Sequence, residues 1–240
     1  MKILADTHVH TLASGHAYST VDEIIREASR KGTKLVAITD HTSGMPGGAH
    51  DFHFMNLRAI PEEIYGVKVL RGAEINIIDY EGNVDAQEEI MNEVDMVIAS
   101  LHPPCIAFAK KEAVTSCIEK VMQNPLIHII GHPGDARYPL DFERIVKMSK
   151  ETGTLLEINN ASLKPSSFRP GVRESLIEML HYCIKYQTHV VVGSDAHIAY
   201  DVGEFKESYN LLQELNFPKE LVINTDVEAL LTFISKKRLK

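Results

Sequence analysis

Apolar residues come in short, β-branched runs, separated by stretches in which they recur every three or four positions. Seven runs read as buried strands: Lys2 to Asp6, Leu35 to Asp40, Val67 to Ile77, Met96 to Ser100, Ile127 to Gly131, Leu155 to Asn159 and Val190 to Ser194. The wider spacing predicts helices over about Glu112 to Met122, Phe142 to Thr152, Val172 to Tyr186, Gly203 to Leu215 and Asp226 to Lys237. Another helix opens at Thr20, whose hydroxyl caps it while Glu23 reaches back as the other half of a capping box, and it stops at Gly32.

Alternation of strand and helix gives right-handed crossovers and a parallel sheet. The expected fold class is α/β, with seven strands closing into a TIM-barrel-like (βα)7 barrel, one domain over residues 1–240. An open doubly wound sheet is the alternative, but its sites gather at one switch point, whereas the chemically distinctive residues here follow six of the seven strands. The longest irregular stretch, Thr42 to Asn56, holds Gly44, Pro46, Gly47, Gly48, His50 and His53 and is expected to overhang the site as a lid.

Composition changes this picture little. At 44% hydrophobic and 24% charged residues the chain can bury a full core and is not disordered. MKILADTHVH lacks a signal-peptide pattern and no run is long enough to span a membrane, so the expected location is cytoplasmic. Cys105, Cys117 and Cys183 match neither a disulfide framework nor a thiolate zinc site and are read as reduced thiols. The net charge of −8 opposes extended nucleic-acid binding, while a small anionic substrate stays compatible if bound cations reverse the sign locally.

Seven histidines, one glutamate and one aspartate carry the chemistry: His8, His10, His16, His41, Glu74, His102, His132, Asp195 and His197. Imidazole and carboxylate are ordinary ligands of zinc, manganese and iron, and so large a set implies more than one ion. In DTHVH alternate side chains share a face, so His8 and His10 can hold one ion while Asp6 orients an imidazole from behind. Asp195 and His197 repeat the spacing after the last strand, which barrel closure makes a neighbour of the first. Proline after His102 and His132 stops each strand and leaves the imidazole at the rim, and His41 ends the second strand. Glu74 lies inside an apolar strand, where an ionised carboxylate is costly unless it meets a metal or a positive group, and its two oxygens suit a bridge between ions.

His128, His181 and His189 sit in structural positions, and His50 and His53 belong to the lid. Candidate anion contacts are Arg137, just after His132, and Lys164, Arg169 and Arg173 beyond the sixth strand. Asn160 closes that strand, the one without a metal candidate, and is taken as a substrate contact.

With DTHVHT, GHAYST, AITDH, LRGAEINI, the LHPP loop, HIIGHPG, LEINN and VVGSDAH in this order, the chain resembles the PHP family, named for polymerase and histidinol phosphatase domains, and most closely its YcdX-like phosphatase branch. The resemblance implies a distorted (βα)7 barrel carrying a trinuclear centre of three divalent metal ions, zinc in the first place, with manganese or iron accepting the same ligands. It implies that His8, His10, Glu74 and Asp195 surround one ion, that Glu74, His102 and His132 hold a second, and that His16, His41 and His197 take the third. The sixth-strand loop, ASLKPSSFRPGVRES, is less typical of the family.

The expected activity is hydrolysis of small phosphate monoesters by a metal-bridging hydroxide, with Glu74, Asp195 and His197 in the catalytic group. The expected partner is a small phosphorylated substrate, without a membrane, and a homo-oligomer is compatible. Competing readings are a metal-dependent amidohydrolase, whose barrels also begin with His-x-His, a PHP-type nuclease, and a non-catalytic metal-binding scaffold. A scaffold needs only one closed ion site, far fewer ligands than this chain offers.

Overall fold

The computed structural model describes residues 1–238. Its strands are β1 (Ala5–Val9), β2 (Leu35–Ile38), β3 (Glu63–Ile64), β4 (Val67–Asn76), β5 (Met96–Ser100), β6 (Ile129–Ile130), β7 (Leu155–Asn159) and β8 (Val190–Gly193). The helices are α1 (Val21–Lys31), α2 (Asp51–Met55), α3 (Glu88–Glu93), α4 (Lys111–Met122), α5 (Phe142–Thr152), α6 (Asn160–Leu163), α7 (Val172–Tyr186), α8 (Lys206–Glu214) and α9 (Val227–Lys237).

Seven parallel strands follow one another in the order β1-β2-β4-β5-β6-β7-β8, and β3 pairs antiparallel at the side of β4. The ends nearly close. Val9 bridges Ala196, the His10 amide donates to the Ala196 carbonyl at 2.9 Å, and the Asp195 amide donates to the His8 carbonyl at 2.9 Å. The result is the expected α/β barrel, completed at its seam by loop residues rather than by a full ladder.

Local signals account for most elements. Thr20 and Glu23 form the capping box of α1, and Gly32 ends the helix in the left-handed region at φ 78°. Helices α5 and α7 cover the residues that their apolar spacing predicts. The first strand does not: it spans Ala5–Val9, three residues later than the run Lys2 to Asp6 suggests, because Ala5 and Asp6 take the register opposite Leu35 and Val36. Strand β3, joined to β4 through Tyr65 and Gly66 at φ 52° and 73°, is too short to show alternation. For the same reason α2, α3 and α6 escape a periodicity test.

Inside the barrel, Ala5, Leu35, Met96, Ile98, Ile129, Leu155 and Val191 pack with Leu230 and Ile234 of α9. Most of these residues open their strands, so the apolar plug fills one end and leaves the strand C-termini to polar groups. A larger apolar cluster fills the space between the strands and α4, α5 and α7.

Candidate metal centre

All nine candidate ligands gather at the C-terminal mouth of the barrel. His8 stands on β1 and Glu74 on β4, while His10, His41, His102, His132, Asp195 and His197 sit in the one to four residues after β1, β2, β5, β6 and β8. His8, His10 and Glu74 are wholly buried, His41, His102, His132 and Asp195 nearly so, His197 is half-buried and His16 is exposed.

Glu74 is the hub. Its Oε2 lies 2.9 Å from His41 Nδ1, 3.2 Å from His8 Nε2 and 3.5 Å from His10 Nε2, and its Oε1 lies 3.0 Å from His132 Nε2 and 3.4 Å from His102 Nε2. Asp195 Oδ1 stands 3.3 Å from His10 Nε2 and 3.6 Å from His8 Nε2. Ring centroids of His10 and His197 are 4.3 Å apart, and those of His16 and His197 4.7 Å. Two neighbours crowd the floor: a Cβ on Gly131 would fall 2.2 Å from Ser100 Oγ, the hydroxyl that donates to Glu74 Oε1 at 2.6 Å.

The donor atoms fit divalent cations. His8 Nε2, His10 Nε2, His41 Nδ1 and Glu74 Oε2 are buried without hydrogen-bond partners, a costly state for so many polar atoms facing one point. Three overlapping sets, His8-His10-Glu74, His41-Glu74-His102 and His10-His41-His197, each bring their ligand atoms within 4.8 Å of one another. Burial pushes His10 down to about 3 and His102 down to about 4, favouring the neutral imidazoles that ligation needs. Burial also opposes charge on His8, Glu74 and Asp195, but opposite charges nearby outweigh it: Glu157, Glu74 and Asp195 act on His8, and His8 with further imidazoles acts on the two carboxyls. His8 is raised well above its ordinary value, and both carboxyls are held well below theirs.

Further groups orient the imidazoles. His102 Nδ1 meets Asn76 Oδ1 at 2.7 Å, and Asn76 Nδ2 donates to Asp85 at 2.6 Å, which fixes the amide's direction. Ser14 donates to Asp40 at 2.7 Å and faces His10 Nδ1 at 3.3 Å. Asp6 does not orient an imidazole as expected. Its carboxylate accepts from the amides of Ser194 at 3.0 Å and Gly203 at 2.8 Å and ties β1 to the loop after β8. The buried partner of His8 Nδ1 is Glu157 Oε1 at 2.7 Å, from the strand without a metal candidate. A charged residue inside the apolar run LLEIN is the same signal that singles out Glu74.

The centre opens into a cavity of about 690 Å³ lined by Met45, Pro103, Arg137, Lys164, Phe168 and Arg169, among others. Arg169 lies 2.9 Å from Ser162 Oγ and 3.4 Å from Asp195 Oδ2, next to the ligands. Arg137 pairs with Asp135 at 2.6 Å between the rings of Phe108 and Phe168, and Lys164 pairs with Asp201 at 2.7 Å. Two expected substrate contacts are absent from this lining. Arg173 points away and pairs with Glu214, and buried Asn160 accepts the amides of Glu207 and Ser208 at 3.0 Å each, holding the start of α8. Of the expected lid, Met45 reaches the cavity, while Asp85 clamps Thr42 and Gly44 at 2.8 Å. His50 caps α2, and His53 faces Asp40 at 3.4 Å.

A barrel with this polar mouth is the class of protein to which the comparisons lead. The PHP domain model matches residues 6–161, and the chain belongs to that family. It is 45% identical over 238 residues to a probable phosphatase of Acetivibrio thermocellus, covering 99% of this chain and 98% of the relative. It is 44% identical over 241 residues to one of Clostridium novyi, covering 100% and 98%. Among solved structures, histidinol phosphate phosphatase from Lactococcus lactis, complexed with zinc, L-histidinol and phosphate, aligns with a TM-score of 0.63 at 19% identity, over 91% of this chain and 95% of that one. Among the described residues no helix is long and apolar enough to cross a membrane.

Proposed function

We propose that this chain is a metal-dependent phosphatase acting on small phosphate monoesters. The observation that carries the reading is the set of buried, unpartnered donor atoms of His8, His10, His41 and Glu74 beside a cavity whose lining includes His41 and Arg169. Probable phosphatases that match nearly end to end support it, as does a zinc-bearing structural neighbour.

The residues that would hold the ions are His8, His10, His16, His41, Glu74, His102, His132, Asp195 and His197, with Glu74 between two groups of imidazoles. Three ions would use this set in full, two with nitrogen and carboxylate donors and the third with the imidazoles of His16, His41 and His197, and zinc suits it, with manganese and iron as the alternatives. When bound, such ions neutralise phosphate oxygens and lower the pKa of water towards neutrality. The chain's own residues do the rest. Arg169, beside Asp195, offers its guanidinium to the phosphate at the inner end of the cavity, and Arg137 does so farther out. His197 Nδ1 faces its neighbour's backbone, the Asp195 carbonyl, at 3.0 Å, so its Nε2 is the ring atom left for the centre. Met45, Pro103 and Phe168 shield the leaving alcohol from water.

The test is a hydrolysis panel run on protein stripped of metal and then reloaded with Zn²⁺, Mn²⁺ or Fe²⁺. Phosphate monoesters should turn over in at least one loaded form and not in the stripped form. Loaded protein that cleaves simple amides instead, or that binds ions and cleaves nothing, overturns the assignment.

A further inference from the structure

The carboxylate of Glu157 has no place in the expected ligand set, yet it sits wholly buried beneath that set. Its Oε1 lies 2.7 Å from His8 Nδ1, and its Oε2 accepts the backbone N–H of His132 at 2.7 Å and the side-chain amide of Asn159 at 3.1 Å. The same Asn159 amide also donates to Asp195 Oδ2 at 3.2 Å. One carboxylate therefore touches two candidate ligands from different strands and, through Asn159, a third.

We infer that Glu157 is a positioning residue that sets the ring orientation of His8 and the backbone of His132 together, and so governs how tightly the centre holds its ions. The inference rests on the metal-dependent reading above. His8 offers Nε2 towards Glu74 only while its other nitrogen carries a proton and donates it, and Glu157 Oε1 is the acceptor that keeps it there. His132 has φ 31°, a conformation that L-residues rarely adopt and that holds only where its surroundings demand it. The Glu157 bond to its amide supplies that demand. The chain also makes room for the carboxylate: a Cβ on Gly193 would stand 2.2 Å from Glu157 Oε1 and 2.8 Å from His8 Cβ.

Glutamine is nearly the same shape but cannot replace this carboxylate. All three neighbours donate, and a glutamine side chain has one acceptor oxygen and one donor NH2. If its oxygen faces His132 and Asn159, its NH2 faces His8 Nδ1, which must then accept, and the ring proton moves to Nε2, the atom aimed at the centre. If it is turned the other way, the His132 amide loses its acceptor.

The experiment compares the parent protein with Glu157→Gln and Glu157→Asp. Zn²⁺ and Mn²⁺ affinity is read by competition with a chromophoric chelator, stoichiometry by elemental analysis, and the His8 tautomer of the zinc-loaded protein by ¹⁵N NMR. Glu157→Gln should lose affinity by about 10- to 100-fold, bind fewer ions and show His8 proton signals that the parent lacks, while its metal-free circular dichroism stays unchanged. Glu157→Asp, which keeps both acceptors on a shorter arm, should recover part of the affinity. Parent-like affinity and tautomer in Glu157→Gln overturn the inference even if the parent is an active metalloenzyme. Affinity that falls only together with the metal-free fold assigns Glu157 to stability alone and overturns it too. A parent that takes up no divalent ion at all refutes the metal-dependent reading itself.

Discussion

Replacing Glu74 by Gln tests the centre with the least change of shape. The two oxygens divide the imidazoles between them, Oε2 facing His8, His10 and His41 and Oε1 facing His102 and His132. Losing the charge should weaken two ion sites at once. An ion present at a hundred times its dissociation constant stabilises the folded state by about 2.7 kcal/mol, so two such sites add about 5 kcal/mol. A domain of this size shifts its melting temperature by about 2–4 °C per kcal/mol, which predicts a metal-dependent rise of about 10–20 °C in the parent. In Glu74→Gln most of that rise should vanish, together with phosphatase turnover. Differential scanning calorimetry with and without chelator, paired with elemental analysis, measures both quantities. A variant that keeps the full ion complement and the full thermal shift would refute the bridging role.

Two further consequences can be measured separately. Arg169→Met should lower kcat/KM for phosphate monoesters by about 10- to 100-fold, the value of about 1.5–3 kcal/mol for a hydrogen bond to a charged group, and should weaken inhibition by inorganic phosphate in parallel; an unchanged inhibition constant would exclude Arg169 from the anion site. His128 is a pH sensor unrelated to the metals: burial, with the nearby charges of Arg238 and Lys237, lowers it from 6.5 to about 3, and its Nδ1 accepts the Val97 amide at 3.0 Å. The unfolded chain takes up a proton below about pH 6.5 that the folded protein refuses until about 3, so stability is lost as pH falls through that window, by about 2 kcal/mol between pH 7.5 and 5. His128→Asn keeps an acceptor without that proton, and urea titrations of metal-free protein should show its pH dependence flattened by that amount; equal slopes would show that the site does not titrate as described.

Legibility in the sequence follows the range of the interaction that decides each feature. Helices α5 and α7 are readable to the residue because their apolar faces repeat along the chain, and α1 because both of its ends carry their own chemistry. The barrel is readable from alternation, since crossovers of one hand leave few other ways to stack seven parallel strands. The convergence of nine ligands then follows, because every strand end reaches the same mouth. Partners set by distant contacts are another matter. Nothing beside Arg173 in the sequence announces Glu214, and nothing beside Asn160 announces the amides that open α8, yet those pairings remove both residues from the cavity.

Glu157 marks the boundary most sharply, because its signal stands in the sequence and its meaning does not. It interrupts an apolar run just as Glu74 does, and both are wholly buried. The cost of burying a carboxylate says only that some positive or hydrogen-donating group must answer it. For Glu74 that answer comes from five imidazoles. For Glu157 it comes from a single ring nitrogen, a backbone amide and an asparagine. Which answer applies depends on what the neighbouring strands present around the carboxylate, since both residues stand two places before the ends of their strands. Glu157 stands in β7 opposite Val191 in the ladder with β8 and meets His8 at Nδ1, whereas Glu74 meets the same ring at Nε2. A charged residue near the C-terminal end of a buried barrel strand is thus a sign of a polar cluster at the mouth, and only its partners decide whether it faces the ions or holds the ligands from the other side.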